Sequence, residues 1–511
     1  MGEPIAYDSQ VVYAAGHGSE LCMNLGVALT WSFLKRSKRV LIEDDSRAYR
    51  GIDLLVAGSH IADLVDAKSS STRVGILLPT SGAFAAASYG VWLAGKTIVP
   101  LNYLSEQETL EYVIDDAGCD LVIASRKLVE HLGYVPRAKT VVYLEDLNFR
   151  SLPSPRLPKC VGKESLAVVL YTSGTSGKPK GVMLSHRNMM SNVAQVHEHI
   201  AINSNDVFVG VLPQFHSFGI TALTLLPLMF GCKVIYSARF MPKRVIGAIE
   251  ENKATIYVGI PSMYNALMTV KSAGDDALSS LRISLSGGEP LPRDVSDRFF
   301  DRFGVRICEG YGMTETAPVT NVMLPHEGHK IGAVGRALPR VIQRIVDPES
   351  GRELGPGVDG ELRIGGPNVM QGYLNHPELT AAAFDECGYL RTGDMARIDA
   401  DGFLSITGRI KEMLIVGGEN VFPREIEEVL NAHPAVAASG VVGQSDPMRG
   451  EVPVGFVEFD EGASVEADEL IHWCRERLAG YKVPRKVVIV DTLPRNMTGK
   501  LMRRSLLELL D

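Results

Sequence analysis

The sequence lacks closely spaced cysteine pairs. Among its 511 residues the seven cysteines are Cys22, Cys119, Cys160, Cys232, Cys308, Cys387 and Cys474. Zinc sites and dithiol motifs need cysteines about two residues apart, and small secreted domains need an even set of them. The spacing therefore indicates neither a zinc site nor a disulfide framework. A reducing compartment, the cytoplasm, is the expected location.

The sequence also lacks an excess of positive charge and an uninterrupted apolar span. Its 52 Lys and Arg against 60 Asp and Glu give a net charge of −8, which argues against nucleic-acid binding through a basic face. The stretches Val74 to Gly95 and Ser217 to Cys232 are uncharged but contain prolines. We expect both to be buried strand and helix segments. The N-terminal segment carries Glu3 and Asp8 and no basic region, so no signal peptide is predicted.

One basic cluster stands out on this acidic chain. Lys35 to Arg39 reads Lys-Arg-Ser-Lys-Arg and precedes a predicted strand, Val40–Glu43. Two interpretations stay open: a solvated turn, or contact with anionic lipid. Peripheral contact is the most that the sequence indicates about a membrane.

The pattern of apolar runs predicts an α/β fold with parallel sheets. Runs of strand length alternate with helical segments such as Ser105–Ala117 and Pro242–Glu251, and this alternation is typical of parallel sheets covered by helices. The predicted strands are Arg73–Leu78, Thr97–Pro100, Asp120–Ala124, Thr140–Leu144, Leu166–Tyr171, Val207–Leu212, Lys233–Tyr236 and Ala254–Gly259.

The composition and the spacing of the apolar runs change twice toward the C-terminus. From about Gly335, Gly, Pro and Asp separate short strands, which predicts a β-rich subdomain. After Gly408 two helical segments and three strand-like runs predict a small α+β unit. We therefore expect an N-terminal domain over residues 1–408 and a C-terminal domain over residues 409–511. Residues 482–511 are locally basic, which suits a polyanionic ligand.

The segment with the clearest chemistry runs from Tyr171 to Gly181. It reads Tyr-Thr-Ser-Gly-Thr-Ser-Gly-Lys-Pro-Lys-Gly and follows a predicted strand. Glycines let backbone amides approach an oxyanion, hydroxyls donate hydrogen bonds and lysines neutralise charge. The composition indicates a polyphosphate-binding loop. It is not a Walker A loop, because Pro179 follows Lys178 where Ser or Thr is required.

This loop resembles the phosphate loop of the acyl-adenylate-forming superfamily, which includes acyl- and aryl-CoA synthetases, peptide-synthetase adenylation domains and luciferases. Further segments resemble the other motifs of the superfamily in the same order along the chain. They are Leu212–His216, Ser286–Pro290, Glu309–Thr316, Gly360–Ile364, Tyr389–Asp394, Gly408–Glu412, Gly417–Pro423 and Pro494–Lys500.

The resemblance implies a reaction in two steps on ATP, Mg²⁺ and CoA. A carboxylate first attacks the α-phosphorus of ATP, and a thiol then attacks the acyl-AMP. The catalytic residues implied are Lys500, Glu315, Thr172 and His216, with Glu315 also holding Mg²⁺, since this hard cation prefers carboxylate oxygen. Lys500 would stabilise charge between the substrate carboxylate and the α-phosphate.

The resemblance also implies the remaining site residues. Tyr311 would stack on adenine, Thr314 would contact phosphate, and Asp394 and Arg409 would bind the ribose. The full nucleotide set is Thr172, Ser173, Gly174, Thr175, Ser176, Gly177, Lys178, Lys180, Gly288, Glu289, Pro290, Glu309, Gly310, Tyr311, Gly312, Met313, Thr314, Asp394, Arg409 and Lys500. The acyl pocket would comprise His216, Ser217, Gly219, Gly287 and Gly312, the CoA tunnel Gly417 and Gly418, and the hinge Lys411.

The substrate interpretation depends on His216. Peptide-synthetase domains typically carry Asp at the matching position, where it pairs with an amino group. Here His216 is followed by the uncharged run Ser217 to Leu226, which suits an uncharged chain or ring. The sequence favours a medium- or long-chain fatty acid. Two alternatives stay open: an aryl acid, and an acyl carrier protein as acceptor. A non-catalytic nucleotide-binding relative is disfavoured by the intact Lys500, Glu315 and Asp394, and the oligomeric state stays open.

Overall fold

The computed structural model describes residues 24–172, 178–328, 330, 332–460, 462–495 and 501–510. Its strands are β1 (Val40–Glu43), β2 (Ala48–Arg50), β3 (Arg73–Leu77), β4 (Thr97–Pro100), β5 (Leu121–Ala124), β6 (Thr140–Tyr143), β7 (Leu166–Thr172), β8 (Lys180–Ser185), β9 (Val207–Gly210), β10 (Lys233–Tyr236), β11 (Ile256–Gly259), β12 (Ile283–Ser286), β13 (Cys308–Gly312), β14 (Val319–Val322), β15 (Arg336–Ala337), β16 (Ile342–Val346), β17 (Gly360–Gly365), β18 (Gly372–Tyr373), β19 (Leu390–Ile398), β20 (Leu404–Arg409), β21 (Leu414–Val416), β22 (Glu419–Val421), β23 (Val436–Asp446), β24 (Gly450–Phe459) and β25 (Lys486–Ile489).

The α-helices connect these strands and cover the sheets. They span Leu25–Lys35, Gly51–Lys68, Gly82–Leu93, Gln107–Asp116, Arg126–Leu132, His186–Ile200, Ser217–Ile220, Leu226–Phe230, Pro242–Asn252, Pro261–Met268, Arg293–Phe303, Pro377–Ala383, Pro423–Asn431, Ala467–Arg475 and Arg503–Leu507. A π-helical turn over Thr221–Leu225 joins Ser217–Ile220 to Leu226–Phe230.

Two large sheets, mostly parallel, form the N-terminal part. One has nine strands in the order β15-β14-β13-β12-β11-β9-β10-β1-β2, and the other has seven in the order β18-β8-β7-β4-β3-β5-β6. Antiparallel pairing is confined to the edges, for example β13 with β14 and β7 with β8. The inner strands β4, β5 and β11 are buried at every position, as expected for strands covered on both faces. This arrangement confirms the predicted α/β class.

The main core lies between the two sheets. The largest cluster of buried apolar side chains joins Ile76 and Val168 of one sheet to Phe208 and Leu285 of the other. Helices such as Gly82–Leu93, which is almost wholly buried, fill the space between them. Burial of this uncharged helix explains why a stretch beginning at Val74 contains no charged residue up to Gly95.

Two smaller sheets follow. Strands β16, β17, β19 and β20 form an antiparallel sheet, in the region where a β-rich subdomain was predicted. Strands β21 to β25 form the last sheet, in which β24 is central and pairs with β21, β23 and β25. Sheet membership changes between Arg409 and Leu414, and a 3₁₀ turn over Ile410–Glu412 connects the two sheets.

Among the described residues, no helix is long and apolar enough to span a membrane. The expectation about cysteines was wrong at one position, because Cys160 is disulfide-bonded. The free cysteines are Cys119, Cys232, Cys308, Cys387 and Cys474.

Candidate active site

Two of the predicted motifs follow strands that end at the same edge of the nine-stranded sheet. Strands β9, β11 and β12 run parallel and end at Gly210, Gly259 and Ser286. Gly259 pairs with Ser286, and Gly210 pairs with Val258, one residue earlier on β11. The segments leading to His216 and following Ser286 therefore leave the sheet side by side. Ligand sites of open α/β sheets lie at this carboxyl edge.

Asp394 is the centre of a buried polar cluster. It is only 3% exposed, and its two carboxylate oxygens accept from Tyr311 Oη at 2.6 Å and from Arg409 Nε at 3.0 Å. Asp394 and Arg409 face each other across β19 and β20. Burial, together with the Asp394 charge, raises the pKa of Tyr311 well above its ordinary value, so Tyr311 stays protonated and donates. Three predicted nucleotide residues thus come together.

Glu315, the predicted magnesium ligand, has a partner that sequence reasoning missed. Tyr373 donates from Oη to Glu315 Oε1 at 2.9 Å. Lys180 Nζ lies 5.6 Å from the centre of the Tyr373 ring, which joins the predicted phosphate loop to the same cluster. Tyr373 lies on β18, which pairs with β8 beside the loop, and no motif in the sequence distinguishes it from a core tyrosine.

A buried amide network supports the backbone around Glu315. Asn192 is fully buried, donates to the carbonyl of Val319 at 2.6 Å and accepts from the Val319 amide at 3.1 Å. Asn368, also fully buried, donates to the Thr316 carbonyl at 2.9 Å, and Gln195 bridges the two asparagines. These contacts fix the loop that carries Glu315. The sequence signal was the spacing of Asn188, Asn192 and Gln195, which puts polar groups on one helix face.

Four of the five predicted acyl-pocket residues lie in or against the helix that starts at Ser217, and the fifth, Gly312, packs on Pro318. The buried Ser217 hydroxyl is 3.3 Å from Thr314 Oγ1, and the Phe218 ring packs on Gly287, where a Cβ atom would lie 3.1 Å from that ring. His216 is exposed and its Nδ1 accepts from the Phe218 amide at 3.4 Å. The helix is thus capped by His216, one of the predicted acyl-pocket residues.

Two predicted acyl-pocket glycines have a packing reason to be glycine. A Cβ at Gly219 would lie 2.0 Å from the Pro213 carbonyl oxygen, and one at Gly312 would lie 2.1 Å from the Pro318 carbonyl oxygen. Backbone occupies the space of a side chain at both positions. Close packing alone accounts for these glycines, so their place in an acyl pocket stays a prediction.

The segment Gly288 to Pro290 forms the exposed rim beside β12. Gly288 has φ +86°, a conformation that favours glycine, and Gly310 packs on the Asn321 carbonyl of the neighbouring strand. Glu309, beside Gly310, belongs to the predicted nucleotide set. Burial raises its pKa to about 7, with Arg424 lowering it and Glu428 raising it. Both of these charges lie on the helix Pro423–Asn431 of the C-terminal unit.

The structure holds the two ends of the phosphate loop together. Thr172 and Lys180 are opposite each other in the antiparallel pair β7–β8, and Lys178 Nζ lies 5.1 Å from the centre of the Tyr112 ring. Ser173 to Gly177 lie outside the described residues. Lys500 lies outside them too.

The glycine pair Gly417–Gly418 forms the two-residue turn between β21 and β22. Their φ angles are +63° and +90°, with open space where a Cβ would be, as in the hairpin turns that select two glycines. A cleft of about 360 Å³ adjoins the turn and is lined by Val416, Gly417, Glu419, Arg449, Gly480 and Tyr481. Lys411 lies in the turn Ile410–Glu412, largely exposed, and desolvation of its ammonium together with the charge of Arg409 lowers its pKa.

The donor set fits Mg²⁺ only together with a nucleotide. In the part of the chain that the structure describes, no three His, Cys, Asp or Glu side chains cluster as a metal site. Glu315 offers hard carboxylate oxygen, one of whose atoms is already oriented by Tyr373. Mg²⁺ usually takes one or two carboxylates, and substrate phosphates and water complete its shell. A single carboxylate beside a predicted phosphate loop is consistent with this coordination of Mg²⁺.

Comparison with known proteins agrees with this geometry. Residues 64–374 match the AMP-binding enzyme family and residues 425–500 match the AMP-binding enzyme C-terminal domain. The fold and site define an acid–thiol ligase that works through an acyl-adenylate. The chain belongs to the AMP-binding enzyme family.

Relatives and solved structures cover most of the chain. A feruloyl-CoA synthase from Amycolatopsis is 36% identical over 84% of this chain and 87% of its own length. A long-chain-fatty-acid–CoA ligase from Bacillus subtilis is 32% identical over 85% of both chains. ATP-bound MatB from Rhodopseudomonas palustris superposes with a TM-score of 0.87 at 30% identity, over 95% of this chain and 99% of its own. An o-succinylbenzoate CoA synthetase from B. subtilis, in complex with its acyl-adenylate, gives 0.84 at 28% identity, over 94% and 97%.

Proposed function

We propose that this enzyme activates a medium- or long-chain fatty acid and transfers the acyl group to CoA. The coarser activity, ligation of an acyl or aryl acid to CoA with ATP and Mg²⁺, is that of its relatives and its family. The observation that carries the finer proposal is the absence of any charged side chain from Ser217 to Leu225, all but one of which are buried. An ammonium or a second carboxylate on the substrate would meet no opposite charge along this segment.

The proposed chemistry assigns each cluster a role in two half-reactions. In the first, a carboxylate oxygen bonds to the α-phosphorus, the bond to the bridging oxygen breaks and pyrophosphate leaves. In the second, a thiol bonds to the acyl carbon and AMP leaves. Asp394 and Arg409 orient the ribose, Tyr311 lies against the base, Glu315 holds Mg²⁺, and Lys500 stabilises the charge on the reacting oxygens. Glu315 is already oriented by Tyr373 before the nucleotide arrives.

We propose that residues 1–408 and 409–511 act as two domains hinged at Lys411. The change of sheet between Arg409 and Leu414 supports this boundary. Because Lys500 and the Gly417–Gly418 turn belong to the same small domain, one rotation can exchange them at the cleft. Hinges absorb such rotations at a few residues.

An aryl acid is the second candidate. The relative from Amycolatopsis is named for a feruloyl substrate. The Phe218 ring packs against Gly287, and aromatic rings pack favourably on one another, so Phe218 could contact an aryl substrate. A fatty acid would need this ring to turn aside. The two candidates therefore differ in what Phe218 does.

Activity measurements on a panel of acids distinguish these candidate substrates. The purified enzyme is given ATP and CoA with decanoate, palmitate, benzoate, ferulate, succinate and alanine, and kcat/KM is measured by pyrophosphate release. The proposal expects the fatty acids to exceed succinate and alanine by at least about 10²-fold, because an unpaired buried charge is costly. Phe218→Ala should improve palmitate relative to benzoate. Preference for alanine or succinate would reject the proposal, and preference for ferulate would transfer it to the second candidate.

A further inference from the structure

We infer that the end of the helix Leu25–Lys35 and the basic turn after it bind the surface of an anionic lipid bilayer. This surface comprises Trp31, Leu34, Lys35, Lys38, Arg39 and Ile52, and we call it the N-terminal basic surface. It lies outside the nucleotide and acyl residues, so the inference stands independently of the substrate proposal.

Large apolar side chains are exposed on this surface. Trp31 is 58% and Leu34 57% exposed, whereas Leu25, Leu29 and Phe33 on the opposite side of the helix are at most 1% exposed. Of the three tryptophans in the chain, only Trp31 is largely exposed. Ile52 is 40% exposed and its amide donates to the Ser37 carbonyl at 2.9 Å, so it adjoins the same turn. Trp and Leu facing water together favour insertion at a polar–apolar boundary.

Positive charge surrounds these apolar groups. Lys35, Lys38 and Arg39 are exposed within five residues, although the whole chain carries a net charge of −8. Two acidic groups that the structure describes on the neighbouring elements pair with other cations: Asp53 with Arg50 at 3.1 Å, and Glu43 with Lys233 at 2.7 Å. The local charge is therefore complementary to an anionic surface.

The turn is held rigidly in place by its other basic residue. Arg36 lies over Gly231 and donates from Nη2 to the Phe230 carbonyl at 3.0 Å. The amides of Ser37 and Arg39 are bonded to the Leu34 and Arg36 carbonyls. Gly51 touches the Phe33 and Arg36 carbonyls, where no Cβ would fit. The apolar and basic groups are thus presented together without an ordering cost at binding.

The combination fits a lipid surface better than a protein groove. A rim of lysines beside Trp and Leu allows the cations to meet headgroup phosphates as the rings enter the interface. A nearly neutral bilayer would use only the apolar half of the surface. Binding should therefore need both anionic lipid and low salt.

Vesicle co-sedimentation of the full-length protein tests the inference. Vesicles of phosphatidylcholine alone are compared with vesicles containing about 30% phosphatidylglycerol, with and without about 0.5 M salt. We expect binding to the anionic vesicles only, and its loss in high salt. Lys35→Glu with Lys38→Glu should weaken partitioning at least about twentyfold, since each surface cation contributes about fivefold. Trp31→Ala with Leu34→Ala should also weaken it.

Matched variants control for nonspecific effects. Leu152→Ala with Leu157→Ala removes two side chains that are 94% and 87% exposed elsewhere, and Lys127→Glu with Lys271→Glu makes the same charge change at distant exposed positions. These variants should bind like the parent, and all should keep its melting temperature. Trp31 fluorescence should shift to the blue on binding, and Trp31→Phe should abolish the shift.

Three results would overturn the inference. The first is failure of the parent protein to sediment with anionic vesicles. The second is binding of the surface variants as strong as that of the parent. The third is a dimer in gel filtration that the Trp31 and Leu34 variant loses, which would assign the surface to a second copy of the chain.

Discussion

At the scale of single residues, the site depends on carboxylates whose partners fix their orientation. Asp394 has one donor on each oxygen, and Glu315 has one on Oε1. The motifs predicted both carboxylates and two of the three donors, Tyr311 and Arg409. Tyr373 was missed because its role arises from pairing β18 with β8, which brings together residues almost 60 positions apart.

Tyr311→Phe tests the Asp394 cluster. The variant keeps the ring and removes the donor, so the buried carboxylate loses one of two hydrogen bonds. We expect the free energy of unfolding to fall by about 2 kcal/mol and the KM for ATP to rise. Denaturant titration and ATP kinetics measure the two effects.

The control is Tyr134→Phe. Tyr134 is also half-buried, and its hydroxyl has no hydrogen-bond partner among the described residues, so its loss should change stability by less than about 0.5 kcal/mol. Equal changes in the two variants would contradict the role given to the Tyr311 hydroxyl.

Glu309 predicts a pH dependence. Burial raises its pKa from an ordinary 4.5 to about 7. Below pH 4.5 the carboxyl is protonated in both states. Between 4.5 and 7 it ionises only in the unfolded chain, so the free energy of unfolding falls as the pH rises, and above 7 this contribution is constant.

Glu309→Gln should remove this slope and leave the variant more stable than the parent at pH 8. Urea unfolding of both proteins at pH 5, 6, 7 and 8 gives the comparison. Parallel curves for parent and variant across this range would show that Glu309 ionises normally in the folded protein.

At the scale of elements, apolar runs predicted the buried strands well. Thr97–Pro100 and Lys233–Tyr236 match β4 and β10 at both ends. β4 is buried at every position, as expected for a strand covered on both faces, whereas β10 alternates between buried and half-buried residues. Strands β12 and β13 were read only as motifs, since Ser286 and Gly310 to Gly312 interrupt the apolar pattern. The helix Leu25–Lys35 was not predicted from the sequence, in which only its basic C-terminal end was noticed. Tertiary packing, rather than local propensity, defines these elements.

The hydrogen bonds of Asn192 connect the helix His186–Ile200 to the loop that carries Glu315. Asn192→Ala would leave the buried amide and carbonyl of Val319 without partners, which should destabilise the fold by about 3 kcal/mol. The Glu315 loop should also loosen, so the rate of acyl-AMP formation should fall. Thermal unfolding and pyrophosphate release measure these losses.

Asn205→Ala is the matched control, because Asn205 is exposed on the loop after the same helix. It should leave both quantities close to those of the parent. A loss below about 1 kcal/mol for Asn192→Ala would mean that the network does not support the loop.

At the scale of the whole molecule, the proposed function requires two reactions in one cleft. The domain boundary was predicted from the change in sequence pattern and the hinge from resemblance, and the structure gives one arrangement of the two units. In this arrangement the charges of Arg424 and Glu428, on the C-terminal unit, affect the pKa of Glu309. Rotation of that unit would change the environment of Glu309 as well as the position of Lys500.

Lys411→Pro tests this rotation. Proline fixes φ near −65°, so the variant should form acyl-AMP but lose thioester formation, whereas Lys411→Ala should retain both. Gly418→Leu should have the same kinetic signature as the proline variant, because it obstructs the turn proposed to meet the CoA arm.

The strain control is Gly388→Leu. Gly388 has φ +80° and open space around it, like Gly418, but lies on another turn. It should lose comparable stability and no thioester activity. A folded Lys411→Pro enzyme that makes thioester at the parent rate would contradict a rotating domain.

The central claim is that this enzyme forms a fatty acyl-AMP through Lys500 before CoA is used. Fatty-acid-dependent exchange between ATP and labelled pyrophosphate, without CoA, measures that step directly. We predict exchange with decanoate or palmitate by the parent, slowed at least about 10²-fold by Lys500→Ala, with thioester formation from supplied acyl-AMP almost unchanged in the variant. Absence of exchange with every acid, or equal losses in both half-reactions, would contradict the account.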